Sequence, residues 1–209
     1  MGNIKKIQSI PGEGKNYYLV DANFLCNKYI PISCVPIEKE KERRRIHECQ
    51  EWWNEIESQI KKGKARVYVP DICVAEVFKA LAGKYYKDKF FKEPRDYLNA
   101  RNHLIKDIKI SPKQLRMQER KIRFHDVPTS RDIIIAVDRF YEPLMGKKLN
   151  LSLPDLIVLA TAKYLIDFYD IPKDRLFIIT LDERLRDGSR IINELNIAYN
   201  PTIKEHQKS

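Results

Sequence analysis

Tyr17-Tyr18-Leu19-Val20-Asp21 and Leu176-Phe177-Ile178-Ile179-Thr180-Leu181-Asp182 share one form: an apolar run that ends on or just before a carboxylate. A strand with one wet face alternates apolar and polar residues, whereas a strand buried on both faces reads as a continuous apolar run. Strands are therefore expected at 17–20 and 176–180, inside a parallel sheet. Further strands are expected at 66–69, 122–127 and 197–199. His125 and Asp126 interrupt the apolar character of the third of these five.

Helical patterns fill the intervals. In 38–62, Ile46, Cys49, Trp53, Ile56 and Ile60 recur every three or four residues and form an apolar stripe. At least one of the adjacent Trp52 and Trp53 should be buried on that helix. The stretch 71–85 carries Ala75, Phe78 and Leu81 or Ala82 on one side. Helices are also expected at 129–140, 153–168 and 183–195, the first two separated by the breaker-rich Glu142-Pro143-Leu144-Met145-Gly146. Alternation of buried strands with amphipathic helices predicts an α/β fold with a mostly parallel sheet. The 209 residues suffice for one such domain. Its core is expected at about 17–199, with a basic helical insertion at 84–123 and loose ends at 1–15 and 201–209.

The composition, 43% hydrophobic and 33% charged, is that of a soluble globular protein. No apolar run approaches the roughly 20 residues that span a bilayer, and no apolar segment follows Lys5 and Lys6, so neither a membrane span nor a signal peptide is expected. Cysteines at 26, 34, 49 and 73 form no CxxC pair, and the histidines show no metal-type spacing with them. Reduced thiols in a cytoplasmic protein are the expectation. The net charge of +10 favours a polyanionic partner. Between Lys84 and Arg123 stand 13 basic and 5 acidic residues, so most of the excess charge is concentrated there.

In an open parallel sheet, ligands bind beyond the carboxyl ends of the strands. Asp21 follows the first strand, Glu76 lies about one turn into the next helix, Asp155 is in the first turn of another, and Asp182 comes just after the strand at 176–180. Four carboxylates in one cleft raise each other's pKa unless a cation compensates. Mg²⁺ or Mn²⁺ suits hard oxygen donors and would activate water against a phosphodiester. Each acid also has a structural explanation, since Asp and Glu favour helix N-termini. Ser152-Leu153-Pro154-Asp155 has the form of a capping box, and Thr180-Leu181-Asp182-Glu183 can be read in the same way. Glu76 fits this explanation least, because it lies past the first turn. The residues alone leave both readings open.

Val20-Asp21-Ala22-Asn23-Phe24-Leu25, Pro70-Asp71-Ile72-Cys73-Val74-Ala75-Glu76-Val77, Leu153-Pro154-Asp155-Leu156-Ile157-Val158-Leu159-Ala160 and Ile179-Thr180-Leu181-Asp182 resemble, in order, the four signature blocks of PIN domains (PilT N-terminus). The resemblance runs from about Tyr17 to Tyr199. It implies a three-layer α/β/α fold with a five-stranded parallel sheet and a Mg²⁺- or Mn²⁺-dependent endoribonuclease. It carries Asp21, Glu76, Asp155 and Asp182 over as metal-binding catalytic acids, with Asn23 and Thr180 as supporting polar residues. A further acid sometimes joins such a quartet, here Glu183 or Asp187. Many members are homodimers, and many small ones are VapC toxins paired with an antitoxin. The interval from Glu76 to Asp155 is longer than in the compact toxins.

Within the basic segment, Lys84, Lys87, Lys89, Lys92, Arg95 and Arg101 are candidate contacts for RNA phosphates. The interleaved Tyr85, Tyr86, Phe90, Phe91 and Tyr97 could stack on bases, but a core or dimer role is the simpler expectation for them. Arg43-Arg44-Arg45 reads as the exposed face of a charged helix. A non-catalytic RNA-binding or assembly module on the same scaffold is the competing function. A phosphoacceptor site at Asp21 would want a second acid beside it, where Asn23 stands. There is no GxSxG elbow and no P-loop.

Overall fold

The computed structural model describes residues 14–108 and 124–203. Strands β1 (Asn16–Val20), β2 (Ala65–Pro70), β3 (His125–Val127) and β4 (Leu176–Ile179) form one parallel sheet in the order β3-β2-β1-β4. β1 lies inside, with Leu19 beside Tyr68 on one flank and Ile178 on the other. Successive strands add outward from β1 to β2 to β3, and β4 then returns to the opposite flank of β1. The β1–β4 junction is therefore the point where strand order reverses, the place such sheets bind ligands.

Seven α-helices are described: α1 (Ala22–Lys28), α2 (Glu40–Lys61), α3 (Asp71–Tyr86), α4 (Pro94–Ile108), α5 (Arg131–Gly146), α6 (Leu153–Phe168) and α7 (Glu183–Ile191). Side chains alternate across a strand, so Tyr18 faces away from Tyr17 and Leu19. Trp52 of α2 meets the Tyr18 ring edge-on at 5.4 Å. Both tryptophans of α2 are buried, wedged with Phe24 of α1 into one aromatic cluster. On the other face Tyr17 stacks on Tyr68, and α6 packs against β2 and β4. No helix among the described residues is long and apolar enough to cross a membrane.

Two expectations are corrected. Of the five expected strands, four form. The segment 197–199 makes a single parallel bridge, Ile179 to Tyr199. Its ladder stops there because the Asn196 side-chain amide donates to the Leu176 carbonyl at 3.1 Å, and Pro201, the next residue to face β4, has no N–H to donate. The second correction is that α5 continues through Pro143 to Gly146. A helical proline forfeits one hydrogen bond, but Phe140 and Leu144, each 2% exposed, hold the last turn in the core. The strand expected at 122–127 is seen at His125–Val127, and its first two residues lie outside the described residues.

A buried ion cluster fastens α4 to the rest. Lys28 Nζ of α1 lies 2.6 Å from Asp107 Oδ2 of α4 and 2.9 Å from Glu57 Oε1 of α2. The Tyr29 hydroxyl also donates to Asp107, at 3.1 Å. Charges this deep survive only when paired. Asp107→Ala should therefore cost about 3 kcal/mol, read as a lower urea midpoint. A change no larger than that of a surface substitution would contradict the cluster's structural role.

Candidate metal centre at the carboxyl edge of the sheet

Asp21 caps α1 at the residue where β1 ends. Its Oδ1 accepts from Ala22 N–H at 2.6 Å, and its Oδ2 accepts from the Thr180 hydroxyl at 2.8 Å. The Asp21 backbone N–H donates to the Ile179 carbonyl at 2.9 Å, which extends the β1–β4 pairing to the acid itself. The side chain is 3% exposed. Burial pushes its carboxyl up to about 6, and the charges of Asp155 and Glu76 push the same way. The hydrogen bonds from Thr180 and Ala22 act oppositely, because donors stabilise the carboxylate.

Glu76 is in the second turn of α3, half-buried. Burial and then Asp155 raise its carboxyl, and nearby Lys79 lowers it. Asp21 and Glu76 offer ligand atoms that lie, together with Cys73 Sγ, all within 4.8 Å of one another. Cys73 is fully buried, and burial together with the neighbouring acids pushes its thiol well above the ordinary range. It therefore remains a neutral SH and adds no further charge. Sequence reasoning passed over Cys73 because it sought cysteines paired with cysteine or histidine. The available signal was its position three residues before Glu76, which puts both on one helix face.

Asp155 fulfils the capping reading that its sequence allows. Its Oδ2 accepts from the Ser152 hydroxyl at 2.6 Å and from Ser152 N–H at 3.2 Å, closing a capping box on α6. Among the described residues its Oδ1 accepts no hydrogen bond, and its charge acts on both Asp21 and Glu76. Asp182 is joined to the group through Thr180, whose hydroxyl accepts Asp182 N–H at 2.9 Å while donating to Asp21. Asp182 Oδ1 caps α7 by accepting from Arg184 and Leu185 N–H. Asn23 is exposed on the first turn of α1 and lines a groove beside Glu76. Asp187 pairs with Arg190 at 2.5 Å, and Glu183 is exposed on the first turn of α7.

Asp21 and Glu76 thus come together, and the charge of Asp155 acts on both. A divalent cation with a preference for carboxylate oxygen would offset this repulsion, so the donor set fits a hard metal ion.

The basic segment divides. Lys84 lies 2.9 Å from Asp88 and 4.2 Å from the centre of the Phe90 ring, so it is engaged in packing. The Arg101 guanidinium lies over Phe78 and Tyr97. Lys87, Lys89, Lys92 and Arg95 are exposed. Phe90 and Phe91 are core residues, whereas Tyr86 is 64% exposed. Residues 109–123 of the segment lie outside the described residues.

No family model matches the sequence. No curated protein matches it either. Among solved structures the chain is similar to the crystal structure of VapBC2 from Rickettsia felis bound to a DNA fragment from their promoter. That similarity has 15% identity and a TM-score of 0.48, and it covers 88% of this chain and 98% of the other.

The raised carboxyl of Asp21 makes stability depend on pH. The native state keeps this proton up to about pH 6, while the ordinary value is 3.8. The folded form therefore binds more protons across that window, and stability falls as pH rises through it. A shift of about two units corresponds to at most roughly 3 kcal/mol. In EDTA, Asp21→Asn should be more stable than wild type at pH 8, less whatever its amide loses facing two donors. That advantage should vanish by pH 4. Guanidinium unfolding at both pH values checks this, and a pH-independent difference would contradict it.

Proposed function

We propose that this chain is a metal-dependent endoribonuclease that hydrolyses RNA phosphodiester bonds. Asp21, Glu76 and Asp155 would hold Mg²⁺ or Mn²⁺, with Asp182 completing the set and Asn23 and Thr180 in support. The observation that carries this reading is the nearly dry Asp21 carboxylate, set against two further acids where strand order reverses. The net charge of +10 and the ordered resemblance of the four blocks to PIN domains support RNA as the substrate. A homodimer and a cognate antitoxin are the partners that resemblance suggests.

A cation held by Asp21, Glu76 and Asp155 would supply Lewis-acid chemistry to the phosphodiester and to its attacking water. The chain's own groups fix the geometry. Asp182 N–H orients the Thr180 hydroxyl, which in turn orients Asp21 Oδ2. The neutral Cys73 thiol adds no repulsion. Glu76 offers its half-buried carboxylate from the second turn of α3 to the same cation.

The test is incubation of labelled single-stranded RNA with wild type, Asp21→Asn and Asp155→Asn in Mn²⁺, Mg²⁺ or EDTA. Metal catalysis is worth several kcal/mol, so each variant should lose on the order of 10³-fold in rate while keeping its circular dichroism. Cleavage surviving in both variants and in EDTA would overturn the proposal. Salt-sensitive binding without turnover in any metal would favour the non-catalytic module.

A further inference from the structure

A groove of about 480 Å³ opens beside Glu76, between the start of α1 and one face of α3. Its α3 wall carries Glu76, Lys79, Gly83, Tyr86 and Lys87, spaced as one helical stripe, and Asn23 faces them from α1. From Glu76 to Tyr86 the stripe rises roughly 15 Å at about 1.5 Å per residue, a length suited to a short stretch of extended strand.

The stripe's chemistry is graded. Lys79 and Lys87 are exposed and make no salt bridge among the described residues, in contrast to Lys84 on another face of the same helix. Lys79 acts on Glu76 and Lys87 on Asp88 only through their charge, and neither ammonium forms a close ion pair among the described residues. Tyr86 is 64% exposed, yet its ring is braced edge-on by Tyr85 at 4.8 Å. Tyr85 in turn stacks on Tyr97 at 4.9 Å with 4° between planes. An exposed aromatic face beside two exposed cations suits an unstacked base and its flanking phosphates. Gly83 forms the floor, where an added Cβ would meet nothing within 4 Å.

We propose that this groove is a subsite for single-stranded nucleic acid, with one base stacked on Tyr86 and adjacent phosphates on Lys79 and Lys87. It rests on the nuclease reading, since it leads the strand to Glu76. Lys79 and Gly83 carry no signal in the sequence, and Tyr86 is expected from the sequence in the core or at a dimer contact, because accessibility is set by what packs around α3. The ring and the ammonium groups meet base faces and phosphates and leave the 2′-hydroxyl unread, so RNA and DNA single strands should respond alike. A duplex keeps its bases stacked and gains nothing from the ring.

The experiment is fluorescence anisotropy of labelled oligo(U), oligo(dT) and a duplex with the full chain in EDTA, over a range of salt. Tyr86→Ala should weaken both single strands on the order of tenfold and leave the duplex unchanged, with Tyr86→Phe restoring affinity. Lys79→Ala and Lys87→Ala should each lower the slope of log affinity against log salt by roughly 0.7. Gly83→Leu should block single-strand binding without lowering the melting temperature, because it fills open space and improves helix propensity. Unchanged binding in Tyr86→Ala and Gly83→Leu would overturn the subsite. If wild type cleaves RNA in Mn²⁺ while those variants bind normally, the subsite fails and the nuclease reading stands. If the variants lose binding and wild type cleaves in no metal, the subsite stands and the nuclease reading fails.

Discussion

The hydrogen bond from Thr180 to Asp21, 2.8 Å between residues 159 apart in sequence, is where fold and candidate chemistry meet. It exists because β1 and β4 are parallel neighbours, so that both strands end at the same edge of the sheet. The backbone bond from Asp21 N–H to Ile179 leaves the acid little freedom to turn toward water. Burial then raises its pKa, and the nearby acids raise it further. Loss of the β1–β4 pairing would return Asp21 to solvent as an ordinary helix cap.

The capping role and the metal role are compatible at these positions. A helix N-terminus favours an acid through its unpaired N–H groups, and three of the four carboxylates stand at such positions. Asp155 uses Oδ2 for its cap and leaves Oδ1 free of hydrogen bonds among the described residues. Asp182 spends Oδ1 on α7 and contributes to the cluster through its backbone N–H. Glu76 has no cap to make, and it alone of the four borders the groove. The helix ends thus fix the acids' backbones, which limits how far the carboxylates can relax apart.

The basic segment shows how charge read along a chain divides in space. Lys84 and Arg101 are taken up by acidic and aromatic neighbours, and Lys28 is enclosed with Asp107 and Glu57. These cations serve packing, and they anchor α3 and α4 against α1 and α2. Lys79 and Lys87 lie on a face of α3 that the other described residues leave exposed, and they form no salt bridge among those residues. An excess of positive charge therefore predicts the sign of a partner but not the residues that meet it.

Local physics was legible in the sequence. Apolar runs marked β1 and β4 because strands buried on both faces exclude polar residues, and α6 was expected over the same residues at which it forms. The positions of Asp21, Glu76, Asp155 and Asp182 near element ends followed from the same patterns. Tertiary structure decided what depends on neighbours. Asn196 takes the Leu176 carbonyl and Pro201 lacks an N–H, which reduces a fifth strand to one bridge, while burial of Leu144 carries α5 through Pro143. Cys73, already beside Glu76 on α3, comes beside Asp21 only when α3 packs against α1, and Tyr86 is bared although Phe90 and Phe91 are covered. Periodicity shows which face of an element is apolar. Which element covers that face, and which side chain is left uncovered, is settled by contacts between residues far apart in the chain.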